Sequence, residues 1–216
     1  MLENCGLELC PKSPWRSYAQ MRSVNSVDDE KSFWFILRVR QKSEDRVASK
    51  LNKRFEIMGK LDDNVCYEAF VPRFYRARTK NGAVHEKELL TCYPGYVFVS
   101  GYKSADEARP EIMSAISGIN EAHFFLYYDD NKREIAMRSE ERDLISRLMN
   151  SEHIIESSLG YMDGDFIRII SGPLKGMEGQ IIKVKKSSRS ATLKAKIFSQ
   201  SIEVTVMLEH AEKAEF

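Results

Sequence analysis

The stretch "ISGPLKGMEGQIIKVKK", Ile170 to Lys186, places three glycines and a proline within eight residues, then alternates apolar residues with lysines. Glycine supplies the positive φ angles of tight turns and proline cannot continue a helix, so the chain reverses here and leaves as a strand. A helix through Gly172, Pro173, Gly176 and Gly179 would cost about 6 kcal/mol, counting ~1 per glycine and ~3 for the proline. Simple alternation puts Lys183 and Lys185 on one face of the strand and Ile182 and Val184 on the other. Strands are expected at 165–170, 179–185, 191–197 and 202–207, with turn signals and no helix between them. About 55 residues of that pattern fit a small five-stranded SH3-like β-barrel.

The chain before it has a different rhythm. "FWFILRV", Phe33 to Val39, is continuous apolar, aromatic and β-branched sequence, which suits a strand buried on both faces. Ser43 offers a helix N-cap, Glu44 and Asp45 suit the first turn, and Val47, Leu51, Phe55 and Met58 recur at helical spacing up to Gly59. Asn81-Gly82 predicts a tight hairpin whose arms carry Arg73, Arg76, Arg78, Lys80 and Lys87. "CYPGYVFV", Cys92 to Val99, reads as the next strand. Ser104 and Glu107 have capping-box spacing, and Pro110 marks an alternative helix start. "HFFLYY" reads as a further strand, Asp129-Asp130 as turn formers, and Ser139-Glu140-Glu141 as the start of a helix with Leu144, Ile145, Leu148 and Met149 inward.

Strand, helix, hairpin, strand, helix, strand, helix is the order of a ferredoxin-like α/β sandwich. The expected fold is therefore α+β, a ferredoxin-like sandwich joined by a linker to an SH3-like β-barrel. The boundaries are 1–31, a disordered or loosely attached extension; 32–150, the sandwich; 151–160, a polar linker; and 161–216, the barrel. Met21 is a second candidate start beside Met1.

The chain has 33 basic and 32 acidic residues, so no global charge argument for nucleic acid exists. The distribution is what informs. Arg168, Lys175, Lys183, Lys185, Lys186, Arg189, Lys194 and Lys196 are opposed within their span only by Glu178. A solvated face is the ordinary fate of surface lysines, but so one-sided a stretch on a small barrel reads as a phosphate-contact surface. Lysines supply backbone affinity, so selectivity would come from RNA shape. Cys5, Cys10, Cys66 and Cys92 show no CxxC pair and read as reduced cytosolic thiols. No apolar run approaches a membrane span and no secretory signal opens the chain. His85, His123, His153 and His210 are isolated, "HEKELL" lacks the second histidine of HExxH, and neither GxSxG nor a P-loop occurs. A non-enzymatic, cytoplasmic, cofactor-free monomer is expected.

"FWFILRV" and "CYPGYVFV", followed by "GDFIRIISGPLKGMEGQIIKV", resemble the NusG family of transcription elongation factors over the span from about Phe33 to the C-terminus. In that family the first domain is called NGN and the second KOW. "FVPRFYR", "PGYVFVS", "GPLKGMEG" and "LGYMDGD" are more closely similar to the LoaP group of specialised antitermination paralogs. The resemblance implies that Tyr93 and Tyr96 line an apolar depression receiving the clamp helices of RNA polymerase, and that the KOW domain binds a nascent leader hairpin. On residues alone, both tyrosines read more readily as core aromatics than as contact residues. The hairpin arginines suit polymerase or upstream DNA contact, or simply a solvated ribbon. General members carry phenylalanines where this chain has Leu174 and Met177, and Gly-Arg where it has Ser199-Gln200. Coupling to Rho or to ribosomal protein is therefore not carried over. The rivals are a housekeeping member that does couple, and a KOW-type protein bound to ribosomal RNA.

Overall fold

The computed structural model describes residues 32–80, 83–128, 134–163, 166–198 and 200–210. The extension 1–31, the Asn81-Gly82 turn, Asp129-Asp130 and Ser199 lie outside the described residues.

β1 (Phe33–Val39) is the inner strand of a four-stranded antiparallel sheet with β2 (Tyr67–Phe70), β5 (Tyr96–Gly101) and β6 (Ala122–Phe125), in the order β2-β5-β1-β6. Its alternation explains why the sequence is apolar throughout. Phe35, Leu37 and Val39 belong to one buried cluster, with Val97 and Val99 of β5. That cluster also holds Val47, Leu51 and Phe55 of α1 (Glu44–Leu61) and Ala108, Ile112 and Ala115 of α2 (Ala105–Ile116). Trp34 and Ile36 belong to a second cluster, with Phe70, Phe98 and, from α3 (Ser139–Leu148), Ile145 and Leu148. Phe35 and Phe98 are fully buried, each contributing about 1.5–3 kcal/mol relative to an exposed ring.

Several local expectations shift. α1 runs through Gly59 to Leu61. A Cβ at Gly59 would sit 2.9 Å from the carbonyl oxygen of Val65, so glycine here admits the returning chain instead of ending the helix. The fold uses residues 92–95 as a turn, and the strand begins at Tyr96. α2 begins at Ala105, with Ser104 N and Oγ both donating to Glu107 Oε2 (3.1 and 2.8 Å), so Pro110 lies inside the helix and does not start it. α3 starts at Ser139, as the sequence reading has it, with Arg138 in the N-cap position.

Between β2 and β5 the chain inserts a hairpin, β3 (Arg73–Lys80) and β4 (Ala83–Thr91). β7 (Ile154–Ile155) adds to β3 in parallel, making a three-stranded sheet. The remainder forms a five-stranded sheet in the order β10-β11-β12-β8-β9. Its strands are β8 (Ser158–Asp163), β9 (Phe166–Ser171), β10 (Ile181–Lys185), β11 (Ser190–Ile197) and β12 (Gln200–His210). Residues 151–160, read as linker from sequence, thus hold β7 and the start of β8.

The second cluster continues into this sheet through Ile169, Leu174, Ala191, Leu193, Ala195, Phe198, Val204, Val206 and Leu208. Specific contacts join the two parts. The Phe198 ring stacks on Tyr128 (centroids 4.3 Å apart), and Phe198 N donates to buried Glu141 Oε2 (2.7 Å). The same oxygen accepts from Tyr128 Oη (2.5 Å), and burial with this hydrogen bond raises the Tyr128 pKa. Lys87 Nζ lies 2.9 Å from Glu209 Oε1.

Candidate interaction surfaces

The turn at residues 92–95 is held from two sides. Gly95 has φ +86°, and its N–H donates to Glu44 Oε1 (2.5 Å), a buried carboxylate in the first turn of α1. A Cβ at Gly95 would meet Arg38 Nη1 at 2.9 Å. The Arg38 guanidinium lies over the Tyr96 ring, 4.6 Å from its centroid. The ends of β1, α1 and β5 are thereby locked together. Sequence reasoning did not find Arg38 or Glu44. The signal was present in outline: a glycine after proline needs a partner for its amide, and Glu44 was recognised only as a dipole-matched residue.

The two predicted tyrosines part company. Tyr96 is half-buried and packs against the second cluster. Tyr93 is 9% exposed, inside that cluster, with its ring 5.4 Å from Phe98. Its hydroxyl is buried, with no hydrogen-bond partner among the described residues. Burial raises the Tyr93 pKa above the ordinary phenol value and pushes the neighbouring Cys92 thiol up to about 12. A partner can touch Tyr93 only by displacing side chains around it.

Residues Arg168 to Lys196 do not form one stripe. Lys183 lies opposite Thr192 and Lys185 opposite Ser190, so both share a face of the β10–β11 pair with Lys194 and Lys196, and all four lysines are exposed. Glu203 stands across from Lys194. Lys175 and Lys186 are exposed in turns. Arg189 is half-buried at φ +45°. Arg168 is on β9, at the other end of the strand order, 3.8 Å from Asp163.

The alternation expected for β10 is broken. The register slips between Ile181 and Lys183, leaving Ile182 as a bulge residue, 52% exposed. Ile181 and Val184, not Ile182 and Val184, pack against the core. In the preceding turn Gly172 and Gly176 take positive φ, Gly179 lies in a 3-10 turn, and Leu174 is fully buried.

The hairpin arginines are engaged. Arg73 pairs with Asp45, and Arg76 with Glu88 at 2.8 Å. The Arg78 side chain lies outside the described residues. Among the described residues no cluster of histidine, cysteine and carboxylate could hold a metal, and no helix is long and apolar enough to cross a membrane. Cys66 and Cys92 form no disulfide among the described residues.

The family model described as "Transcription termination factor nusG" matches residues 32–146, more than half of the chain. The "Transcription termination/antitermination protein NusG" of Thermus thermophilus is 20% identical over 184 residues, covering 84% of this chain and 98% of that protein. The "Transcription elongation factor Spt5" of Sulfolobus acidocaldarius is 34% identical over 50 residues, 23% of this chain and 33% of that protein. A solved structure described as "Domain interaction in Thermotoga maritima NusG" superposes with a TM-score of 0.42 at 19% identity, covering 82% of this chain and 94% of that one. With the family model spanning β1 through α2 and β6 and most of α3, this chain belongs to the NusG family of transcription factors.

Proposed function

We propose that this chain is a specialised, LoaP-like elongation and antitermination factor acting in the cytoplasm without a cofactor. Residues 32–150 serve as a ferredoxin-like NGN domain that docks on the polymerase clamp helices. Residues 151–160 connect it to an SH3-like KOW domain, 161–216, that holds nascent RNA at a leader hairpin, its lysines gripping phosphates irrespective of base. Bridging polymerase and its transcript suppresses pausing and termination.

The observation that carries this reading is that the two surfaces lie on different sheets. The turn around Tyr96 is held rigidly by Glu44 and Arg38, which limits the entropy lost on docking. Four lysines share one exposed face of β10 and β11, with Glu203 as the acid paired across from one of them. In this reading Tyr96 meets the clamp first, and Tyr93 contributes after local repacking. Against a housekeeping member stands Leu174. The loop that meets Rho or ribosomal protein in general members here turns its apolar residue fully inward.

The test is a salt titration of binding to a leader-hairpin RNA. Replacing Lys183, Lys185 and Lys186 together by alanine leaves the sheet folded, since all three are exposed. It lowers the salt slope by about 0.7–0.9 per lost phosphate contact. Equal slopes and equal affinities would reduce the lysines to a solvated face.

A further inference from the structure

We infer that Tyr96, Arg38 and Phe124 form one cross-strand row that seats a single helix of the polymerase, with Arg38 taking a carboxylate from it. The proposal rests on the polymerase-docking reading above and deepens it by naming the group that this surface recognises.

Arg38 of β1 is paired in register with Tyr96 of β5 on one side and with Phe124 of β6 on the other. Directly opposed residues point to the same face of a sheet, so the three side chains form a line across it. The face is that of Trp34 and Ile36, since Phe35, Leu37 and Val39 belong to the cluster on the other side. β2 ends at Phe70, opposite Phe98, so the row stops at Tyr96. At its other end Phe124 is 56% exposed on an end strand, where an outward residue facing water is ordinarily polar.

The guanidinium is the second observation. Arg38 is half-buried over the Tyr96 ring, and among the described residues no carboxylate pairs with it. The acids flanking this end of the sheet are engaged elsewhere. Glu44, on the α1 side, accepts from the Gly95 amide, and Glu121, on the β6 side, pairs with Arg46 and Lys50. Arg40, exposed just beyond β1, adds a second cation. A guanidinium lying on a ring keeps its N–H edge free, and that fork matches a carboxylate or a phosphate. The rest of the row selects the carboxylate. Three neighbouring strands span about 9.5 Å, two spacings of ~4.8 Å, which is close to the ~10 Å diameter of one α-helix. Single-stranded nucleic acid needs open ring faces for successive bases. Tyr96 has one face under the guanidinium and packs against the second cluster, so Phe124 is the one ring of the row left open. A helix with an acid one turn from an apolar side chain meets Arg38 and Phe124 together.

The experiment uses the full chain and core RNA polymerase as the probe. Phe124→Ala and Arg38→Gln are each expected to weaken binding about tenfold with circular dichroism unchanged. Arg38→Gln alone should also lessen the salt dependence of binding, which a merely structural role would not require. Acidic residues of the clamp helices are then changed to their amides one at a time. One such change should weaken binding of wild type about tenfold and leave Arg38→Gln no weaker than before. Full affinity in both variants, with Tyr96→Ala still impaired, overturns the row and spares the docking reading. No binding of polymerase by wild type overturns both. A weakened Arg38→Gln with no coupled acid on the polymerase overturns the carboxylate. Loss of RNA affinity instead of polymerase affinity in Arg38→Gln overturns the proposal and gives the cation to a phosphate.

Discussion

Tyr93 is buried for its ring and penalised for its hydroxyl. A buried hydroxyl with no partner costs about 1–3 kcal/mol relative to one in water. Tyr93→Phe is therefore expected to leave stability unchanged or raise it by about 1 kcal/mol, read as an equal or higher thermal midpoint. A clear fall would mean that the hydroxyl has a partner. Tyr93→Ala, by contrast, opens a core cavity costing about 3–5 kcal/mol, so loss of polymerase binding in that variant would be ambiguous. Tyr96→Ala is the cleaner probe of the clamp surface. It is expected to weaken clamp-helix binding by roughly 2 kcal/mol or more, with circular dichroism unchanged. Unaltered clamp affinity would remove Tyr96 from the interface. Sequence alone named both tyrosines through resemblance, but it could not distinguish them. Which one is buried depends on the turn at Gly95, whose anchors Glu44 and Arg38 come from elements far off in the chain.

At the scale of elements, the helices and most strands were legible because their apolar periods are clean. Where local signals compete, packing and capping choose among them. Gly59 looked like a helix end, yet it admits Val65; of the two helix starts the sequence offered, the capping box of Ser104 and Glu107 is used and Pro110 is not. A proline inside a helix removes one hydrogen bond and crowds the carbonyl four residues back, here Asp106. Pro110→Ala is accordingly expected to stabilise the protein by about 1–3 kcal/mol, measured by urea denaturation. A loss of stability would show that Pro110 itself is required for α2 to seat Ile112 and Ala115. The β10 bulge was not legible either, because Ile181, Ile182 and Val184 are equally apolar and only pairing with β11 chooses which turn inward.

For the molecule as a whole, polar ties among the described residues connect the inserted hairpin and α3 with the five-stranded sheet. One is Lys87 with Glu209, and another is Glu141 with the Phe198 amide. Hydrogen bonds from Lys87, then from Ser157, hold the Glu209 carboxyl below its ordinary value of 4.5. A depressed folded-state value means that this group's contribution is complete above the unfolded value and is lost as pH falls through the lower, folded one. Glu209→Gln should therefore differ from wild type in denaturation midpoint near neutral pH, and the difference should shrink progressively on acidification below about 4.5. A difference that stays constant with pH would assign the effect to packing. Nothing in the sequence advertised these ties, since their partners stand 122 and 57 residues apart.

β12 occupies the middle of the order β10-β11-β12-β8-β9, between a pair of strands on each side. It pairs antiparallel with β11 and parallel with β8, although it is the last strand among the described residues. During synthesis, β8–β9 and β10–β11 emerge as two hairpins with no strand to join them. The four-stranded sheet carrying Tyr96 is complete once β6 has left the ribosome, so it can fold while the second sheet is still in two halves. A factor made in this order could acquire its proposed polymerase-facing surface first, and its proposed transcript-facing surface only when Gln200–His210 arrive.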